Sequence, residues 1–248
     1  MSGHSKWANI KHKKGKADAA RGAVFTKIGR EIAIAVREGG SDPSQNSKLR
    51  DVIAKARSNN MPNDNIERSI KKAAGELGNV VYEEITYEGY APGGIAVIVN
   101  VVTDNRNRTA ADIRHIFDKN GGSLGQTGSV SYLFDYKGVI VIEREPGMDE
   151  DEVMMHALEA GAEDVEVNDD TFEIITAPND FSAVREMLEK EGYSFLSAER
   201  AQVPQMINEI TDEEVLQKIQ KLLDMLDEND DAVEVFHNAK LPEEEEED

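Results

Sequence analysis

Hydrophobic residues in the first third of the chain recur at helical spacing. Val24, Ile28, Ile32 and Val36 fall four apart on one face of a helix that opens near Ala17 and ends at Gly39-Gly40. Ser41-Asp42-Pro43 opens a second helical unit, whose stripe is Leu49, Val52, Ile53 and Ala56 and whose end is Asn59-Asn60-Met61-Pro62. Asp64, with Glu67 three residues on, reads as the capping box of a third helix that stops at Gly75. The period changes at Val80. Residues 82–90 alternate, Pro92-Gly93-Gly94 turns the chain, and 95–103 form a near-continuous apolar strand. Residues 109–120 return to helical spacing with Ile113, Ile116 and Phe117 inward, Gly121-Gly122 stops them, and 129–134 predict a further strand.

A repeated rhythm follows. Residues 137–143, 149–160 and 164–167 read strand, helix, strand; 171–176, 181–191 and 195–202 repeat it, the split βαβ or ferredoxin-like pattern. After Pro204 come an amphipathic helix over 211–228, with Val215, Ile219, Leu222, Leu223 and Leu226 on its apolar face, and a strand over 232–236. These last two elements have no neighbours of their own, while 80–135 lacks one helix and one strand for a two-layer sandwich. The expected fold is therefore α+β in three domains. Residues 1–79 form a basic three-helix domain with a flexible arm over 1–16. Residues 80–135 and 204–241 form a discontinuous middle domain, and 136–203 an inserted ferredoxin-like domain. Residues 242–248 are a polyacidic, disordered tail.

Charge is distributed as unevenly as hydropathy. The 248 residues carry a net −21, yet residues 1–80 hold 16 Lys/Arg against 8 Asp/Glu and the remainder 12 against 41. A basic head on an acidic body suits a head that meets phosphate through counterion release; the alternative is a head that pairs with its own body. Cysteine is absent, which excludes a disulfide scaffold, a thiol nucleophile and a cysteine-ligated metal. No apolar run approaches a spanning helix and the N-terminus has no signal-like apolar core, so a soluble, cytoplasmic protein is expected.

No catalytic signature appears. Gly15-Lys16-Ala17 lacks the other residues of a P-loop, and neither a nucleophile elbow nor a zinc-binding His-Glu-x-x-His occurs. His4 and His12 lie in a cationic arm that repels metal ions, so neither metal nor cofactor is expected. His156, beside two methionines, reads as a half-buried structural residue. The glycine-dense 121–128 stretch reads as a connection or helix C-cap, with a phosphate cradle as the alternative. Arg106 and Arg108 stand at a helix N-terminus, where they either hold phosphate or pair with acids nearby. The arm is the sharpest feature: Lys6, Trp7, Lys11, His12, Lys13, Lys14 and Lys16 interleave cation and aromatic. Lysines there supply salt-dependent contacts, and Trp7 can stack on an unpaired base or anchor the arm. Lys27, Arg30 and Arg37 extend the charge along the first helix, and Arg50, Lys55 and Arg57 along the second.

The opening Gly3-His4-Ser5-Lys6-Trp7-Ala8-Asn9-Ile10-Lys11-His12-Lys13-Lys14 resembles the start of YebC/PmpR proteins. So do Phe25-Thr26-Lys27, Met61-Pro62, Tyr87-Glu88-Gly89-Tyr90, the run from Thr103 through Asn105-Arg106-Asn107-Arg108 to Thr109, and the glycine-rich 121–130. The likeness runs through about the whole chain. It implies a helical first domain followed by two α+β domains, and it brings no catalytic residues. It further implies a non-enzymatic regulator of gene expression, a DNA-binding transcriptional regulator; relatives associated with stalled ribosomes or with mitochondrial translation make a ribosome- or rRNA-bound translation factor the alternative. The expected partners are DNA or ribosomal RNA, with the ribosome or a basic protein on the acidic domains and no membrane; the expected state is a monomer.

Overall fold

The computed structural model describes residues 17–75 and 80–241. Three helices form the head: α1 (Ala17–Gly39), α2 (Ser47–Ser58) and α3 (Asn63–Ala73). The stripes read from the sequence meet in one core, where Ile28, Ile32, Leu49, Val52, Ala56 and Ile66 are buried together. Asn46 caps α2, its side chain accepting from the Leu49 amide at 3.0 Å and donating to the Ala35 carbonyl at 2.7 Å, which ties the α2 start to α1. The capping box expected at α3 is not formed. Pro62 stands at the N-cap with no side-chain cap, its ring having fixed a backbone angle that suits the helix start. Asp64 falls in the first turn, where its charge favours the helix dipole.

The first sheet has the order β3-β1-β2-β9. Its strands are β1 (Glu83–Ala91), β2 (Ile95–Thr103), β3 (Ser123–Leu124) and β9 (Ala232–His237), antiparallel throughout. Helices α4 (Arg106–Lys119) and α7 (Glu213–Glu228) cover one face. Val97, Val99, Ile113, Phe117, Ile219, Leu222 and Leu226 pack there. The second sheet holds β4 (Phe134–Glu143), β5 (Asp164–Val167), β6 (Thr171–Thr176) and β7 (Phe195–Pro204) in the order β5-β6-β4-β7, with α5 (Glu150–Ala160) and α6 (Phe181–Lys190) on one face. That order is the ferredoxin-like one. The first sheet thus draws strands from both sides of the second sheet's stretch of chain. The two short strands β8 (Asn208–Glu209) and β10 (Ala239–Lys240) pair in parallel.

One expected strand is absent. Residues 131–133 form a 3-10 turn, and strand structure begins at Phe134, within the second sheet. The reason is Glu88. Its buried carboxylate accepts from the amides of Gly128, Val130 and Ser131 at 2.7, 2.8 and 2.9 Å, so those amides are not offered to a strand ladder. The edge strand is instead β3, inside the glycine-rich stretch. It approaches β1 so closely that a Cβ on Gly89 would stand 2.6 Å from the Ser123 carbonyl oxygen. Gly121, at φ +76°, ends α4 in a Schellman arrangement with the Gly122 amide donating to the Phe117 carbonyl at 2.9 Å.

Candidate nucleic-acid interface

Helix α1 lies across the strand ends of the first sheet, and its cations meet the groups those ends leave open. Lys27 donates to the Asp227 carbonyl at 2.5 Å, at the end of α7. Arg30 donates to the carbonyls of Val102, at 3.2 Å, and Asp230, and to the Asp231 carboxylate at 2.6 Å. Arg37 donates to the Tyr82 carbonyl at the entrance to β1. Asp231 is buried at the start of β9 and also receives Arg108 from α4 at 2.8 Å and the Thr109 hydroxyl at 2.5 Å. Burial alone would raise its pKa; the Arg108 and Thr109 hydrogen bonds and the Arg30 charge carry it below the usual carboxylate range. Two of the arginines named as phosphate contacts, Arg30 and Arg108, therefore converge on one internal carboxylate.

Helix α2 is tied down in the same way. Lys55 points into a cleft of about 300 Å³ where head, first sheet and second sheet meet, and stands 2.9 Å from Glu31, 3.6 Å from Glu199 and 3.8 Å from Glu234. Burial disfavours its charge, but the three glutamates outweigh burial and raise its pKa. Asp51, also on α2, is buried. It accepts from Arg185 at 3.2 Å, Arg200 at 2.9 Å and Ser182 at 2.6 Å, all on the second-sheet unit. Arg50 pairs with Glu186 at 2.8 Å.

What remains outward is a different set of cations. Arg57 in the last turn of α2, and Arg68, Lys71 and Lys72 on α3, are exposed and have no ion-pair partner among the described residues. Arg68, Lys71 and Lys72 stand at i, i+3 and i+4, so they share one helix face. That spacing is visible in the sequence, although the sequence reading does not single these residues out. Asp64 and Glu67 stand four residues before Arg68 and Lys71 and so lie beside the same face, with no ion pair to either among the described residues. Arg106 is likewise exposed without an ion pair among the described residues. The arm, with His4, Lys6, Trp7, Lys11, His12, Lys13, Lys14 and Lys16, lies outside the described residues, as does the tail 242–248.

The glycine-rich stretch is no open phosphate cradle at its second half, because Glu88 already occupies the amides of Gly128, Val130 and Ser131. His156 donates to or accepts from the Tyr193 hydroxyl at 2.8 Å and packs edge-on against its ring, a structural role. Among the described residues no group of three or more His, Asp or Glu side chains is placed to hold a metal ion, and no helix is long and apolar enough to cross a membrane.

Comparison with known proteins matches both parts of this architecture. Residues 5–76 match the model of the TACO1/YebC protein N-terminal domain, and residues 82–239 that of the TACO1/YebC second and third domain. A probable transcriptional regulatory protein of Clostridium novyi (strain NT) is 62% identical over 244 residues, covering 98% of this chain and 99% of its own. Another, of Acetivibrio thermocellus, is 61% identical over 238 residues, covering 96% and 98%. The crystal structure of a conserved hypothetical protein from Aquifex aeolicus superposes with a TM-score of 0.83 at 46% identity, covering 94% of this chain and 96% of that one. With family models matching nearly end to end and a shared fold, the chain belongs to the TACO1/YebC family.

Proposed function

We propose that this chain is a non-enzymatic regulator of gene expression that binds nucleic acid through its helical head and N-terminal arm. The observation that carries the reading is the sorting of cations on the head. Arg30, Arg50 and Lys55 face carboxylates of the body (Asp231, Glu186, and Glu199 with Glu234), while Arg57, Arg68, Lys71 and Lys72 face outward without one among the described residues. Surface cations without counter-charges inside the protein gather a counterion cloud that a phosphate backbone releases. The body adds orientation. Strand β9 starts beside α1, just after Asp231, and runs antiparallel to β2, away from the head.

The relatives are named probable transcriptional regulatory proteins, and we take DNA as the target that fits regulation of transcription. In support, α2 and α3 are joined by four residues, the length found in helix-turn-helix pairs, which makes α3 the candidate to face a groove. A second reading, a ribosome- or rRNA-bound regulator of translation, is favoured by a different observation. Asp64 and Glu67 on the N-terminal half of α3 oppose close entry between two phosphate strands, whereas irregular RNA offers bases without such entry. Brief crosslinking in cells, followed by sequencing of the DNA and the RNA that copurify, separates them. Discrete promoter fragments are expected for the first reading. Defined ribosomal RNA sites support the second, and neither nucleic acid above background contradicts both.

A further inference from the structure

A groove of about 830 Å³ separates α2 of the head from the turn between α6 and β7. Its apolar surface comes from Ile53, Ala54 and Phe195, with the Tyr193 ring beside them, steadied from behind by His156. The volume lies in the range of sites that enclose small organic groups.

The charges around this groove are unbalanced in one direction. Its two carboxylates are engaged by arginines: Glu186 by Arg50 at 2.8 Å and by Arg185 at 3.5 Å, and Glu189 by Arg185 at 3.0 Å. Lys55 is turned toward the glutamates of the neighbouring cleft. Arg57 and Lys190 also line the groove, are exposed, and have no carboxylate partner among the described residues. An apolar slot with two aromatic rings and a cationic rim matches a flat ring joined to a phosphate. A stacked duplex does not offer its bases this way; a single strand does.

We infer that this groove holds one unpaired nucleotide of a single-stranded nucleic acid, with its base against Tyr193 and Phe195 and its phosphate on the Arg57–Lys190 rim. The inference rests on the nucleic-acid reading of the head and narrows it to a target with an open base. Such a site requires head and second-sheet unit to stay docked, which the contacts of Asp51 with Arg185 and Arg200 accomplish.

The test uses the full chain and two RNA probes: a 12-nucleotide single strand carrying one 2-aminopurine, and the same strand in a duplex. The wild type binds the single strand more tightly and quenches the 2-aminopurine. Ala54→Phe fills the slot, and Lys190→Ala removes a rim charge at a surface position that does not endanger folding. Each weakens single-strand binding, by about tenfold for Ala54→Phe, and leaves duplex binding unchanged. If both variants bind the single strand as the wild type does, or lose both probes equally, the groove assignment is overturned while the head can still bind nucleic acid. If the wild type binds neither probe, nor the same sequences as DNA, the wider reading fails as well.

Discussion

Arg30 and Asp231 meet at 2.6 Å across 201 positions of sequence, and Arg108 closes on the same carboxylate from the other side. A basic helix and an acidic body are thereby locked at one buried point. Removing Asp231 takes away the one carboxylate shared by Arg30, Arg108 and the Thr103 and Thr109 hydroxyls, and leaves Arg30 with the Val102 and Asp230 carbonyls and Arg108 with Asp104. Asp231→Ala is expected to cost about 3–5 kcal/mol, read by urea unfolding, and to loosen α1 from the sheet. A loss within experimental scatter would contradict the assignment of the junction to this carboxylate.

The same residue sets an acid limit. Because its pKa is lowered on folding, its contribution is present above the unfolded value of about 3.9 and is lost as pH falls through the lower folded value. The wild type should lose stability below about pH 4 more steeply than Asp231→Asn, which has no proton to take up there. Parallel acid profiles for the two proteins would contradict this.

Lys55 answers three glutamates, and without it their charges face one another. Lys55→Met is expected to destabilise the protein by about 3 kcal/mol or more at neutral pH. Glu31 is already pushed up by burial, with the Glu234 and Glu199 charges adding to it against the pull of Lys55. In the variant the folded state therefore takes up protons more readily than the unfolded chain, and part of the lost stability should return on acidification toward pH 5. Thermal unfolding across that interval measures the return; none at all would contradict the account.

Glu88 holds the glycine-rich loop by accepting from three amides, hydrogen bonds strengthened by its charge. Glu88→Gln keeps the shape but offers one uncharged acceptor oxygen. Amide exchange at Gly128, Val130 and Ser131 should accelerate, with a global loss of roughly 1.5–3 kcal/mol. Unchanged exchange at all three would show that the loop is held by something else.

These pairings also mark where sequence reading stops. The elements were legible because their signals are local: Val24, Ile28, Ile32 and Val36 face one core, and β5 and β6 begin and end at the residues read as strands from the sequence. The ferredoxin-like order and the late arrival of β9 beside β2 follow from the same patterns, since an unpartnered helix and strand must find a sheet. The misses share a cause. Ser131 has strand-like neighbours, but its amide is claimed by Glu88, 43 positions away. For Arg108 the sequence leaves phosphate and a nearby acid both open, and Asp104, four residues before it, is one such acid, but only the fold brings Asp231 to Arg30 and Arg108 together. Pro62 displaced the expected cap at Asp64 because a ring-fixed backbone starts the helix without a side-chain acceptor. For the site, the arm stands out from composition alone, and the outward row Arg68, Lys71 and Lys72 could be read from spacing. Which cations face inward required the fold.

The most direct test of the central claim is the salt dependence of nucleic-acid affinity, measured for the wild type and for a variant with Arg57, Arg68, Lys71 and Lys72 all changed to Ala. All four side chains are exposed, so the fold should be kept. Each phosphate contact removed should lower the slope of log affinity against log salt by roughly 0.7–0.9. The account predicts a slope flatter by about 2–4 units together with weaker binding at low salt. An unchanged slope and affinity in the folded variant would contradict it.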